Sequence, residues 1–294
     1  MIEIKNLNKC FPNKEVLKNL NLKIKDGEIF GLVGINGSGK STLLRLISGI
    51  YNKDSGDILI DGEEVYENEN AKSKIFFLPD EPFYTADTTP LNIIDFYSTF
   101  YSLDINLYHR YLQEFKLPLN KSLKNFSKGM KRQVFISLAL AIKPKYLLLD
   151  EAFDGLDPLA RLMFKRELTN LLKDKKTTLI ISSHSLKELE EFCTSYGILD
   201  DKDIICKENI QIDAKKVHKY QFVIENSLNE HDLEYLKIKK VGKVITILTY
   251  DNYDKFKEKI KKYNPLFLEE IEINFEELFI IEIENRGYMQ WEKH

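Results

Sequence analysis

The chain carries the segment Gly34-Ile35-Asn36-Gly37-Ser38-Gly39-Lys40-Ser41-Thr42. Two fixed glycines followed by a lysine and a hydroxyl residue match the phosphate-loop pattern. Glycines let the main chain turn tightly and point successive N–H groups at phosphate oxygens, and the helix that follows presents its positive end to the same charge. Lys40 would add a point charge at the β- and γ-phosphates, and Ser41 would ligate Mg²⁺. The segment therefore predicts a site for a nucleoside triphosphate and Mg²⁺.

The sequence on either side of this loop supports the interpretation. The run Glu28 to Val33 is typical of a buried strand, and the leucines after Thr42 give the next segment an apolar helical face. The alternative is a glycine-rich turn that binds nothing. Such a turn would require neither flanking element, so the context argues against it.

A second element, Tyr146-Leu147-Leu148-Leu149-Asp150-Glu151, is an apolar run that ends in two carboxylates. A nearly continuous apolar strand is typical of a parallel sheet covered on both faces, where ligands bind at the strand ends. We therefore expect Asp150 beside the phosphate loop, bound to Mg²⁺ through water. Glu151 is assigned to the attacking water, as a general base or an orienting group.

Further landmarks follow a fixed order along the chain. They are Phe11, Phe126-Ser127-Lys128-Gly129-Met130, Gly155-Leu156-Asp157 and His184. With the two elements above, they make the chain similar to the ATP-binding subunits of ABC transporters over roughly residues 1 to 210. The resemblance implies that Phe11 stacks on adenine, that Ser127 and Gly129 of the signature contact a γ-phosphate, and that His184 is the switch histidine. Asp157 then belongs to the D-loop.

Three of these landmarks have alternative explanations. Phe11 would equally suit a core position beside Val16 and Leu17. Asp157 would begin the turn that Pro158 enforces, and we keep both roles for it. A histidine after a strand is, on its own, more often a solvent-facing side chain.

The chain departs from the family pattern at three positions. Asp80 stands where the family has a glutamine that senses Mg²⁺, so it is a candidate both for catalysis and for the metal. Lys128 replaces a glycine and Met130 a glutamine in the signature. A lysine at the start of a helix is unfavourable for the helix dipole but favourable for a bound anion.

The resemblance also implies an assembly. In this family the signature of one subunit closes over the nucleotide held by another, so one chain with one phosphate loop cannot complete a site. We expect a head-to-tail homodimer, or a pair with another ABC subunit, that holds two ATP molecules. Hydrolysis would remove the phosphate contacts between the subunits.

Composition is typical of a globular protein without a nucleic-acid partner. The 294 residues are 43% hydrophobic and 30% charged, with a formal net charge of −3. Three cysteines without CxxC spacing predict reduced thiols and no zinc site. No secretory leader and no apolar run of about 20 residues are found, so we expect a cytoplasmic protein. Membrane attachment would come through a separately encoded integral-membrane permease.

The expected fold class is α/β, a P-loop NTPase (RecA-like) ABC ATPase core with an antiparallel β subdomain and a helical signature subdomain. We place the ATPase domain at residues 1–212, with the helical subdomain at about 83–145, and a small C-terminal α+β appendage at 213–294. The helical subdomain contains an aromatic cluster that we expect mainly to pack its core, with some members lining a groove for the permease. Its members are Phe83, Tyr84, Phe96, Tyr97, Phe100, Tyr101, Tyr108 and Tyr111.

The appendage has predicted strands at Tyr220–Ile224 and Val244–Leu248 and a lysine-rich amphipathic helix from Tyr253 to Tyr263. Asn274 with Glu277 resembles a helix-capping arrangement. The segment from Asn274 to Phe279 is similar to the tail of bacitracin-type export ATPases. The appendage either assists dimer contact or regulation, or only packs.

The sequence thus predicts an ATP-hydrolysing subunit of a membrane exporter. A soluble ABC ATPase that acts on ribosomes or DNA is the main alternative. Against it stand the single nucleotide-binding domain, the absence of a long coiled coil and the absence of a basic tail. A regulatory ABC ATPase is a third possibility.

Overall fold

The computed structural model describes residues 1–173, 176–184, 189, 193–200, 202–207, 217–224, 228–229, 232–273 and 277. Its contacts divide the chain into two compact units, Met1–Glu208 and Asn209–His294. Among the described residues, no helix combines the length and the apolar character that crossing a membrane requires.

The first unit contains ten strands and six α-helices within its described residues. The strands are β1 (Ile2–Phe11), β2 (Lys14–Ile24), β3 (Ile29–Val33), β4 (Ser55–Ile60), β5 (Glu63–Glu64), β6 (Ile75–Leu78), β7 (Tyr146–Asp150), β8 (Thr178–Ser183), β9 (Ser195–Asp200) and β10 (Asp203–Lys207). The helices are α1 (Lys40–Ile47), α2 (Glu69–Ser73), α3 (Ile93–Tyr97), α4 (Ile105–Glu114), α5 (Lys128–Ile142) and α6 (Pro158–Leu172), with a 3₁₀ turn at Leu123–Asn125.

The central sheet has the order β10-β9-β3-β8-β7-β6. Its strands are parallel except for β10, which pairs antiparallel with β9. Every residue of β7 is buried, as its apolar run predicted for a sheet covered on both faces, and every residue of β8 is buried as well. The register pairs Val33 with Ser183 and Asp150 with Ser182. The carboxyl ends of β3, β7 and β8 therefore meet at one edge, where such sheets bind ligands.

A second, antiparallel sheet has the order β2-β1-β4-β5. Its inward side chains, including Ile2, Leu17 and Leu20, join one buried cluster with α1 and the central sheet. This packing fixes the end of β1 relative to the phosphate loop.

The segment between β6 and β7 is mainly helical. Most members of its aromatic cluster are buried or half-buried, as expected, and Tyr97 and Tyr101 contact the ring of Phe76 in β6. Tyr108 and Tyr111 are buried, with hydroxyls that donate to Pro90 O (2.8 Å) and to Glu167 in α6 (3.0 Å). Burial raises the pKa of both phenols well above the usual value. By contrast, three phenylalanines are exposed on the surface: Phe83, Phe96 and Phe100.

Within its described residues, the second unit contains an antiparallel sheet with a helix packed against it. Its elements are β11 (His218–Ile224), β12 (Lys237–Val241), β13 (Val244–Thr249), α7 (Tyr253–Lys261) and β14 (Pro265–Ile271), and the strand order is β12-β13-β11-β14. Tyr220, Phe222 and Phe256 form its buried centre, with the Tyr220 and Phe256 rings stacked at 4.4 Å between centroids. The predicted strands at 220–224 and 244–248 and the predicted helix are confirmed.

Two strands of the second unit were missed by the sequence analysis, and one predicted motif is not covered by the structure. β12 and β14 were not predicted. The predicted tail motif from Asn274 to Phe279 lies outside the described residues, apart from Glu277.

Candidate functional site

The phosphate-loop segment connects β3 to α1, from the residue after Val33 to Lys40. Gly37 and Gly39 have φ values of 81° and 110°, in the left-handed region that favours glycine. A Cβ atom at Gly39 would also lie 2.9 Å from Val16 Cγ1, which is too close. Two independent constraints therefore require glycine at this position.

Lys40 is 6% exposed, and its ammonium points back into the loop. Its Nζ donates to Gly34 O (2.8 Å) and Ile35 O (3.3 Å), and lies 3.6 Å from Glu151 Oε1. The buried hydroxyl of Ser38 has no hydrogen-bond partner among the described residues. The loop thus presents a buried cation and an unsatisfied hydroxyl.

Asp150 and Glu151 are held through a serine of the neighbouring strand. Asp150 is 1% exposed and accepts a hydrogen bond from Ser182 Oγ (2.7 Å). Ser182 Oγ in turn accepts the main-chain N–H of Glu151 (3.0 Å). The sequence analysis did not assign Ser182 a role. Its signal would have been a small hydroxyl residue at the end of a strand adjacent to paired carboxylates.

Glu151 stands at the centre of the site. Its φ is 47°, which is left-handed and uncommon for a residue with a side chain. Its Oε1 faces Lys40, and its Oε2 lies 2.9 Å from His184 Nδ1. Asp154 adds a third group, since side-chain oxygen or nitrogen atoms of Glu151, Asp154 and His184 all lie within 4.8 Å of one another. The sequence analysis did not predict this carboxylate. The structure thus brings Lys40, Glu151 and His184 together.

A cleft of about 430 Å³ opens beside the loop. It is lined by Phe11, Lys14, Val16, Asn36, Gly37, Gly39, Lys40, Ser41, Thr42, Asp80 and Glu151. Phe11 is 38% exposed at its mouth, with its ring edge-on to Tyr51. Val16 and Leu17 are buried, so the alternative that Phe11 shares their core position is wrong. Lys14, whose Nζ donates to Gly37 O (3.2 Å), is a cation that the sequence analysis missed.

Asp80 lies at the edge of this cleft and faces two cations. Its Oδ1 accepts a hydrogen bond from Arg132 (2.6 Å) and lies 3.5 Å from Lys128 Nζ. The Arg132 side chain is 1% exposed and also donates to Pro79 O (2.8 Å) and Glu151 O (3.3 Å). Burial lowers the pKa of this guanidinium, and nearby carboxylates, first that of Asp80, oppose the shift. Sequence reasoning missed Arg132, which lies between Lys131 and Gln133 in the polar first part of α5, before the mainly apolar run from Val134 to Ile142.

The signature and D-loop segments contact each other. Ser127 caps α5, since its Oγ accepts Met130 N–H (3.2 Å). A Cβ atom at Gly129 would lie 2.5 Å from Gly155 O, so only glycine fits there. Asp157 caps α6 by accepting two main-chain N–H groups of its first turn, which confirms the turn role considered for it. Of the described residues that line the cleft, none comes from these motifs.

The residues present fit a nucleoside triphosphate with its metal. The buried Lys40 ammonium, the unsatisfied Ser38 hydroxyl and the N-terminus of the eight-residue helix α1 offer donors and positive charge to phosphate. Ser41 and Asp150 offer the hydroxyl and carboxylate oxygens that Mg²⁺ prefers. Together with the parallel sheet, these features define a phosphate-loop nucleotide-binding domain.

Comparison with known proteins identifies the family. A family model described as ABC transporter matches residues 17–154. The ABC transporter ATP-binding protein YtrB of Bacillus subtilis (strain 168) is 31% identical over 286 residues, which cover 95% of this chain and 97% of that protein. The chain therefore belongs to the ATP-binding proteins of ABC transporters, and it is an ATPase subunit whose hydrolysis is coupled to transport.

Other relatives match about 70% of the chain. The linearmycin resistance ATP-binding protein LnrL of B. subtilis (strain 168) is 33% identical over 213 residues, covering 70% of this chain and 68% of that protein. The methionine import ATP-binding protein MetN of Clostridium acetobutylicum is 33% identical over 213 residues, covering 68% and 66%. A solved structure of an ATP-binding subunit of an ABC transporter aligns with a TM-score of 0.66 at 28% identity, covering 72% of this chain and 92% of that one.

Proposed function

We propose that this subunit hydrolyses MgATP in the cleft beside α1, acts as a head-to-tail homodimer, and drives a separately encoded export permease. The observation that carries the hydrolytic role is the position of the Glu151 carboxylate between Lys40 (3.6 Å) and His184 (2.9 Å) at the carboxyl edge of the central sheet. A carboxylate so placed suits a general base or an orienting group for water.

The remaining roles follow from where each side chain lies. Lys40 and the main-chain N–H groups of residues 34–42 would bind the phosphates, with Asn36, Gly37 and Thr42 lining the cleft. Ser41 and Asp150 would hold Mg²⁺, which neutralises phosphate charge when bound. Phe11, exposed at the mouth of the cleft, would stack on adenine. His184 would contact the terminal phosphate and keep Glu151 oriented.

The homodimer is proposed because the cleft lining lacks Ser127, Gly129 and Asp157 among its described residues. If these residues contact nucleotide, they contact one held by another subunit. A two-fold, head-to-tail pair supplies the missing half of each site with one kind of chain.

Export is proposed from the resemblance of the Asn274–Phe279 segment to tails of export ATPases and from the similarity to LnrL, which is named for linearmycin resistance. MetN, which is named for import, is similar to this chain over 213 residues, so the direction of transport needs its own test. Deletion of the gene should increase sensitivity to an exported toxic compound. A requirement for an added nutrient, without increased sensitivity, would contradict export and favour import.

Hydrolysis and dimerisation are tested together with Glu151→Gln. This variant should bind MgATP, retain only a small residual turnover and elute as a dimer in light-scattering chromatography with MgATP. Glu258→Gln, at an exposed position of the second unit, is the matched control and should hydrolyse ATP at the wild-type rate. Lys40→Ala should lose nucleotide binding. Wild-type turnover by Glu151→Gln would remove the assignment of Glu151, and a persistent monomer at high concentration would remove the homodimer.

A further inference from the structure

Arg132 is a fully buried cation whose acceptors come from two separate segments. Its guanidinium donates to Pro79 O and Asp80 Oδ1, which follow β6, and to Glu151 O, which follows β7. Moving a cation out of water costs several kcal/mol in proteins unless good hydrogen bonds compensate. The planar fork of an arginine can serve three oxygens at once, which a lysine ammonium cannot match in geometry. Arg132 therefore ties these two segments to α5.

The main chain of Glu151 is fixed on both sides. Its N–H donates to Ser182 Oγ (3.0 Å), and its C=O accepts from Asp154 N–H (3.0 Å) and from Arg132 (3.3 Å). A left-handed conformation at a residue with a side chain costs about 1–2 kcal/mol and persists only where the surroundings impose it. The φ of 47° at Glu151 is such a conformation, and it aims the carboxylate at Lys40 and His184.

The carboxylate of Asp80 binds the guanidinium of Arg132. The shared Oδ1 atom contacts Arg132 at 2.6 Å and Lys128 at 3.5 Å. Two departures from the family sequence pattern, Asp80 and Lys128, thus meet at one carboxylate oxygen. That oxygen is already engaged by two cations in this arrangement.

We propose that Arg132 is a positioning residue for hydrolysis, which clamps the main chain of Glu151 in its left-handed conformation, and that Asp80 anchors Arg132. This inference rests on the proposed role of Glu151. It gives Asp80 a function through Arg132 in place of direct contact with the metal.

The first test is Arg132→Lys in the full chain, assayed for MgATP hydrolysis. The substitution keeps the charge but loses the fork. We expect kcat to fall about 10- to 100-fold, because small misplacements of a catalytic group have effects of that size. KM and the Kd for MgATP should stay within about two-fold, because the phosphate loop is untouched. Arg166→Lys, at an exposed arginine paired with Glu167, is the control and should keep the wild-type kcat.

The second test asks whether Arg132 acts through Glu151. In a Glu151→Gln background, Arg132→Lys should lower the residual rate by less than about two-fold, since residues that act as a unit are not additive. A further ten-fold loss would overturn the proposal. The proposal would also be overturned if Arg132→Lys kept a normal kcat and its crystal structure still showed Glu151 at its left-handed φ.

The third test concerns Asp80 and also serves if Arg132→Lys does not fold. Asp80→Asn, at a side chain that is 40% exposed, should lower kcat without changing the Mg²⁺ concentration that gives half-maximal activity. An increase in that concentration would show that Asp80 acts on the metal and would overturn its anchoring role.

The two levels of inference can fail separately. Wild-type turnover by Glu151→Gln defeats the proposed function itself. If Glu151→Gln is inactive while Arg132→Lys and Asp80→Asn both keep the wild-type kcat, only the positioning role is refuted.

Discussion

Replacement of Ser182 by alanine should destabilise the first unit far more than removal of another buried serine. Ser182 is 0% exposed and makes two hydrogen bonds, one to the carboxylate of Asp150 (2.7 Å) and one from the N–H of Glu151 (3.0 Å). A hydrogen bond to a charged group contributes about 1.5–3 kcal/mol, and an orphaned buried N–H costs about 1–3 kcal/mol. Because neighbouring groups relax partly, we expect a loss of about 3 kcal/mol in the free energy of unfolding.

The matched control is Ser137→Ala. Ser137 is also 0% exposed, but its hydroxyl makes one hydrogen bond, to Gln133 O within α5 (2.7 Å). That carbonyl also belongs to the helix ladder, and alanine is the better helix former, so the loss should stay below about 1 kcal/mol.

Urea unfolding measures the difference. Since the chain has two units, the relevant transition is the one that MgATP shifts to higher urea. With an m-value of about 3 kcal/mol/M, Ser182→Ala should lower its midpoint by about 1 M and Ser137→Ala by less than about 0.3 M. The Ser182 variant should also lose kcat, because Asp150 and Glu151 lose their common anchor. Equal midpoint shifts for the two variants would refute the reasoning.

Three further predictions concern single side chains. Asp157→Ala should cost the first unit about 1 kcal/mol in urea unfolding through loss of the α6 cap, and Asp157→Asn should recover most of it; equal losses would contradict a capping role. In the second unit, burial raises the pKa of Asp251, but hydrogen bonds from Lys255 and Lys259 outweigh it and hold the pKa below the ordinary 3.8. The stabilisation is therefore present above about pH 4 and lost as pH falls through the lowered pKa. Asp251→Asn should cost about 2 kcal/mol by hydrogen exchange at pH 7, and its difference from wild type should shrink as the pH falls below 3.8. Phe11→Ala should raise the Kd for MgATP about 5- to 150-fold in calorimetry while Phe11→Tyr does not, and an unchanged Kd in the alanine variant would remove the stacking role.

The sequence predicted those parts of the structure that depend on residues close together along the chain. β3 and β7 are nearly continuous apolar runs because both faces of the central sheet are covered. The loop glycines are required by the conformation of a few consecutive residues. The neighbourhood of Lys40 and Glu151 was also predictable, since strand ends of a parallel sheet meet at one edge.

The contacts that hold these groups in place could not be predicted from the sequence. Arg132 meets Asp80 across 52 positions of sequence, and Ser182 meets Asp150 across 32. A single sequence does not specify which strand or helix lies beside another. β12 was missed because its lysines hide the alternation of a strand, and β14 because it begins at a proline; charged side chains and proline are both typical of sheet edges.

The strand order of the second unit has a practical consequence for shortened versions of this protein. β14 is the last described strand along the chain, yet it pairs with β11, the first strand of its sheet, over Lys219–Ile271 to Ile224–Pro265. A truncation before Pro265 would remove β14 and expose the main-chain amide and carbonyl groups of β11, with which a strand of another molecule can pair. Truncated versions that end before Pro265 should therefore aggregate rather than give a monodisperse protein, whereas versions cut after Ile271 keep this strand.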